Sequence, residues 1–173
     1  KTPVSLFEEA VTAANKAVFE ESASHVEYEG MGTTVVACTL EENTLYIANI
    51  GDSRLYLIRD GIEQITDDHS LVEEMVKQGN ITESEARIHP QKNIITRALG
   101  INEEVQADFF EIDVEQGDVI MLCSDGLSNM IEDEDMEYIV KNSDTLQTAA
   151  ESLVARANEN GGNDNITVVL AEV

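Results

Sequence analysis

Between Thr33 and Thr66 the chain leaves the helical spacing with which it begins and breaks into short runs of β-forming residues. These are "TTVVACTL" (Thr33–Leu40), "TLYIANI" (Thr44–Ile50), "RLYLIRD" (Arg54–Asp60) and "IEQIT" (Ile62–Thr66). Glu41-Glu42-Asn43, Gly51-Asp52-Ser53 and Asp60-Gly61 separate them. Runs of this length bounded by polar or glycine breaks are strands joined by turns, and Asp-Gly between two of them signals a hairpin. The expectation is an antiparallel meander.

Helices flank this β-rich stretch. Thr2-Pro3 is a helix start, a capping hydroxyl followed by Pro at the first helical position. Leu6, Phe7, Ala10, Val11, Ala14, Val18 and Phe19 then recur with helical spacing, so an amphipathic helix should run to between Ser22 and His25. Leu71, Val72, Met75 and Val76 place another after Ser70, ended by Gly79, and Thr82-x-x-Glu85 is a capping box for a third. "VQADFFEIDV" leads through the turn Glu115–Asp118 into the apolar strand Val119–Cys123, which reads as buried on both faces. Helices around Asp135–Lys141 and Thr145–Asn158 follow, Gly161-Gly162 ends the second, and "NITVVLAEV" makes a last strand. Strands with segregated helices give an α+β class, with 1–173 as a single domain.

Charge limits the partners. Ten Lys plus Arg against 35 Asp plus Glu leave a net charge of −25, a surface that repels nucleic acid and anionic membrane. No apolar run approaches the ~20 residues that span a bilayer. Cys38 and Cys123 sit in apolar strand-like runs without Cys-x-x-Cys spacing, so both read as buried free thiols of a reducing, cytoplasmic compartment. Lys1 stands where an initiating Met would, as expected for a portion of something longer.

Three aspartates share one context. Asp52 follows the apolar run Tyr46–Ile50 and Gly51, Asp125 follows Val119–Cys123, and Asp164 lies between a helix and the last strand. Asp favours such positions as a plain turn residue, because its side chain hydrogen-bonds locally. Alternatively, carboxylates converging from strand ends make an all-oxygen cage suited to Mg²⁺ or Mn²⁺. His25, His69 and His89 lack zinc-site spacing.

The ordered motifs "GMGTT" (Gly30–Thr34), "ANIGDSRLYL" (Ala48–Leu57), "TDDHSLV" (Thr66–Val72), "ITRALG" (Ile95–Gly100), "LCSDGLSN" (Leu122–Asn129) and "GGNDNITVV" (Gly161–Val169) closely resemble the bacterial PPM-type, or 2C-class, metal-dependent Ser/Thr protein phosphatases. The resemblance implies a β-sandwich of two antiparallel sheets flanked by helices (α-β-β-α). It also implies two or three Mn²⁺ or Mg²⁺ ions in the complete domain, with metal-activated water hydrolysing phosphoserine and phosphothreonine in proteins. Asp125 and Asp164 then match ligands of the metal pair, and Asp52 the ligand of an additional, weaker metal. The segment 69–97 resembles the family's flap, with His89, Lys92 and Arg97 as candidate substrate contacts. In that segment Lys77, Arg87, Lys92 and Arg97 balance Glu73, Glu74, Glu83 and Glu85, a neutral patch that suits a phosphopeptide or is an ordinary solvated helix pair. A cognate Ser/Thr kinase is implied as a partner.

The family pattern begins earlier than Lys1. Its phosphate-binding basic residue, its Asp-Gly-x-Gly-Gly strand end and a following His have no counterpart here. The fold is therefore expected to be N-terminally incomplete, with no catalytic residues beyond the metal ligands and weak or no turnover by this chain alone. A non-catalytic fragment or regulatory binding module of the same fold is the alternative. Sheets stripped of neighbours also have open edges that invite self-association.

Overall fold

The computed structural model describes all residues from Lys1 to Val173. They form two compact units, each assembled from separated stretches: Lys1–Asp52 with Asp67–Asp113, and Ser53–Thr66 with Val114–Val173. Each unit holds one sheet.

In the first unit, helix α1 (Pro3–Ser24) opens on Thr2, whose Oγ1 accepts the Ser5 N–H at 3.2 Å, with Pro3 in the first turn. Its buried face is narrower than the spacing predicts. Only Val11 and Asn15 are fully buried, while Ala10 and Ala14 are exposed and Leu6 is 49% exposed. The contact is a single line, because Val11 meets Ile50, Leu99 and Ala107 in a small core flanked by Val18, Val35, Val105 and Phe109. Asn15 ties the helix to the chain beyond Leu99. Its Nδ2 donates to the carbonyls of Asn102 (2.9 Å) and Glu103 (3.0 Å), and its Oδ1 accepts the Gly100 N–H at 2.7 Å.

Strands β1 (Val35–Glu41) and β2 (Thr44–Ile50) form a hairpin in register Val35↔Ile50 through Glu41↔Thr44, and Glu42 turns it with φ +52°. Strand β5 (Asp108–Asp113) lines the other side of β2, giving the antiparallel order β1-β2-β5. Central β2 buries Leu45, Ile47, Ala48 and Ile50, whereas Cys38 on edge strand β1 is only half-buried, unlike the expectation. Its partial burial still pushes the thiol pKa up. Both cysteines are free thiols.

Helices α2 (Leu71–Lys77) and α3 (Glu83–Ile88) also lie in this unit. Ser70 caps the first, and the Thr82/Glu85 capping box closes with bonds of 2.7 and 3.2 Å on the second. Leu71 N–H to Ile94 O (3.0 Å) and Thr96 N–H to His69 O (2.9 Å) pin the two ends of this excursion to each other.

The second unit holds β3 (Arg54–Ile58), β4 (Ile62–Gln64), β6 (Val119–Cys123) and β7 (Val168–Glu172), antiparallel in the order β4-β3-β6-β7. The meander expected across Thr33–Thr66 is therefore corrected. β1 pairs with β2 and β3 with β4, but β2 and β3 belong to different sheets. The break falls at Gly51, with φ +105°, whose N–H and C=O are engaged by His69 and not by a neighbouring strand.

Helices α4 (Asp125–Ser128), α5 (Asp133–Lys141) and α6 (Leu146–Glu159) complete this unit. Tyr56, Met121, Cys123, Leu127, Ile131, Met136, Val140, Leu153 and Ala157 form its core against one face of β6, while on the other face Ile120 is buried and Leu122 half-buried. Burial pushes the Tyr56 phenol well above its usual range, while its hydroxyl accepts from Arg54 and donates to Asp133. Arg59 grips the buried Asp118 with two bonds of 2.8 and 2.7 Å, fixing the turn before β6. The last strand starts at Val168, later than expected, because Asn165 and Thr167 are engaged by Ser124 instead.

Candidate metal centre

β6 pairs with β7 in register Cys123↔Val168, which brings the residue after one strand beside the residues before the other. Ser124 fastens the two segments. Its N–H donates to Thr167 O at 3.0 Å, its Oγ accepts the Thr167 N–H at 3.0 Å, and it reaches Asn165 O at 3.4 Å. Asp125 then opens the short helix α4, and its carbonyl accepts the Asn129 N–H at 2.8 Å.

Gly126 explains how closely the segments approach. A Cβ there would collide with the Asn165 carbonyl oxygen and lie 3.5 Å from Asp164 Cβ. The absent side chain is the cradle in which the Asp164 loop rests. Asp164 Oδ1 accepts the N–H of Asn165 at 2.7 Å, which orients its carboxylate from the loop. Asp125 and Asp164, 39 positions apart in the chain, are therefore brought to one end of the same sheet.

Asp52 lies in the other unit, at the end of β2, with 9% of its surface exposed. The turn carrying it is held on both sides of Gly51. Gly51 N–H donates to His69 Nδ1 at 2.9 Å, and Gly51 O accepts from His69 N–H at 2.9 Å and from Asn49 Nδ2 at 3.4 Å. Asn49 is wholly buried, and its Oδ1 has no hydrogen-bond partner. His69 Nε2 in turn meets Asp108 Oδ2 at 2.8 Å, and Arg97 Nη1 meets Asp108 Oδ1 at 3.0 Å and Gln106 O at 3.2 Å. Burial works to raise the Asp108 pKa, but the bonds from His69 and Arg97 outweigh it and hold the carboxyl below its ordinary value.

No spacing or motif in the sequence brings His69, Asp108 and Arg97 together. Their only local signal is a histidine between Asp68 and a capping serine. Arg97, expected as a substrate contact, bonds through Nη1 to Asp108 and Gln106. His89 caps α3 and accepts the Gln91 N–H at 3.0 Å, while Lys92 is half-buried in the following turn.

The donors at Asp52, Asp125 and Asp164 are carboxylates, the chemistry hard divalent cations require. In number the chain falls short: it contains no group of three or more His, Cys, Asp or Glu side chains that could hold a metal ion. The donor type fits Mg²⁺ or Mn²⁺.

The protein phosphatase 2C family model matches residues 4–171, and the chain belongs to that family. It is 42% identical over 166 residues to a serine/threonine phosphatase stp of Listeria monocytogenes, an alignment covering 95% of this chain and 66% of that protein. The crystal structure of the serine/threonine phosphatase Stp1 from Staphylococcus aureus superposes with a TM-score of 0.96 at 35% identity, covering 99% of this chain and 68% of that one. The catalytic domain of a serine/threonine protein phosphatase PstP in complex with 2 manganese ions gives 0.87 at 37% identity, covering 96% and 69%. The fold is thus the α+β fold of these phosphatases.

Proposed function

We propose that the protein to which this chain belongs is a metal-dependent phosphatase of phosphoserine and phosphothreonine in proteins. Asp125 and Asp164 contribute to its metal pair and Asp52 to a further, weaker site. The observation that carries the reading is the Gly126 cradle, which brings the backbone just after Asp125 against the loop that carries Asp164. The names of the Listeria and Staphylococcus relatives support the Ser/Thr specificity, and the manganese complex supports the ion class.

Bound divalent ions supply a water nucleophile of lowered pKa and neutralise phosphoryl charge, the two needs of a very slow hydrolysis. This chain's part is to hold carboxylates on rigid strand ends, since a ligand that moves loses the geometry in-line attack demands. The 69–97 excursion, with both ends pinned, is the flap, and His89 and Lys92 face phosphoprotein substrate on it. Arg97 acts through Asp108. A Ser/Thr kinase supplies the phosphoproteins this reaction consumes.

No helix is long and apolar enough to cross a membrane, and the cytoplasm is the compartment that suits two free thiols. The chain spans 66% of the Listeria relative's length, so the activity proposed is that of the whole protein. The open edges of β1 and β7 offer pairing sites for another chain, and a monomer by light scattering would sink self-association.

Calorimetric titration with Mn²⁺, alongside Asp125→Asn, tests the central reading. Binding by the parent chain that disappears in the variant is the expected result. Equal binding by both refutes the ligand role.

A further inference from the structure

The bonds around Gly51 determine a tautomer. A backbone N–H can only donate, so the 2.9 Å contact from Gly51 N requires His69 Nδ1 to be unprotonated. The imidazole proton is then on Nε2, where it donates to Asp108 Oδ2 at 2.8 Å. Asp108 is fixed in turn: it opens β5 opposite Asn49 in the β2–β5 register, and Arg97 holds its other oxygen at 3.0 Å.

The Gly51 peptide has no freedom left. Its N–H is held by the His69 ring, and its carbonyl by the His69 N–H and the Asn49 amide. The next residue is Asp52. A Gly-Asp turn needs no such apparatus to reverse a chain, because Asp side chains satisfy turn backbones locally. Burying His69 at 6% exposure, with a carboxylate and a guanidinium behind it, carries a desolvation cost that turn formation alone does not require. Fixing the direction in which one carboxylate leaves the strand end does require it.

We infer that His69 is a positioning residue for Asp52: as the neutral Nε2–H tautomer, oriented by Asp108 and Arg97, it clamps the Gly51 peptide and so aims the Asp52 carboxylate. The inference rests on the proposed reading of Asp52 as a metal ligand. His69 touches neither substrate nor ion in this role. It acts as outer partners of a metal site do, by orienting what holds the ligand.

The test uses the ¹⁵N-labelled 173-residue chain. Imidazole ¹⁵N shifts of the unsubstituted protein should report His69 with Nδ1 bare and Nε2 protonated; the opposite tautomer, or a cation at neutral pH, overturns the inference without any variant. His69→Asn keeps an acceptor where Nδ1 stood, while His69→Ala and His69→Gln do not. Gly51 amide exchange should quicken about tenfold in the Ala and Gln variants, the equivalent of one lost hydrogen bond, and recover in the Asn variant. The Mn²⁺ concentration that half-broadens the Asp52 amide should rise about tenfold with His69→Ala and recover with His69→Asn. Mn²⁺ broadening at Asp52 that ignores all three substitutions overturns the positioning role alone. No broadening at Asp52 in the unsubstituted chain overturns the ligand reading, and the positioning role falls with it.

Discussion

Gly126→Ala sets two ordinary effects against each other. Gly126 is the second residue of α4, and replacing a helical glycine by alanine gains about 1 kcal/mol in propensity. Against this stands the new Cβ, which would strike the Asn165 carbonyl oxygen and sit 2.9 Å from its carbon. Those atoms are backbone, and the Ser124 bonds to Thr167 hold the segment in place, so no side-chain rotation relieves the contact. Overpacking costs about 1–3 kcal/mol. If the segment shifts, the Ser124–Thr167 pair of bonds is loosened at about 1 kcal/mol each. The net expectation is destabilisation by about 2 kcal/mol, a drop of about 1 M in the urea midpoint for a slope near 2 kcal/mol/M. Urea unfolding followed by near-ultraviolet circular dichroism reads the change, since buried Tyr56 contributes to that signal. The Asn165 amide resonance should move as well. A variant more stable than the parent by about 1 kcal/mol, with Asn165 undisturbed, would mean that propensity wins and that the Asp164 loop does not depend on the cradle.

Asn15→Ala removes the partner of three backbone groups, at Gly100, Asn102 and Glu103, and should cost about 3 kcal/mol. Amide exchange at Gly100 that stays slow in the variant would show that the helix is anchored elsewhere. Acid should release the turn before β6. The Arg59 bonds, with the Glu115 N–H, hold the Asp118 pKa below its ordinary value, so the stabilisation is complete above about pH 4 and fades as pH falls through the lowered value. The urea midpoint of the parent should fall faster between pH 4 and 2 than that of Asp118→Asn, and parallel curves would refute the assignment.

What the sequence made legible was local. Runs of β-forming residues and the turns between them placed every strand but β5, and Thr2, Ser70, Thr82 and Thr145 stand at helix starts where their side chains do cap. Asp125 could be read as a strand-end carboxylate because Val119–Cys123 and Gly126 are contiguous with it. Partnerships across the chain were not legible. The break between β2 and β3 depends on Gly51 engaging His69, and the anchor of α1 is a polar Asn15 whose partners lie beyond Leu99. Helical periodicity scores Asn15 as outside and Ala14 as inside, the reverse of what the fold does. His69, Asp108 and Arg97 follow no period at all, because sheet register and not spacing brings them together.

The interleaving of the two units also bears on the order in which the protein can be made. β3 leaves the ribosome with only the three-residue β4 as a local partner, and its other edge pairs with β6, roughly 60 residues later. At about 5–20 residues per second the nascent β3 hairpin waits about 3–12 s for that partner, and β7 arrives later still. During that interval Tyr56 and Ile58, both buried in the finished sheet, have neither β6 beside them nor the α4–α6 layer over them. Synthesis therefore carries an apolar strand without its main partner for roughly 60 residues of its course, the stretch in which the growing chain is most open to non-native pairing.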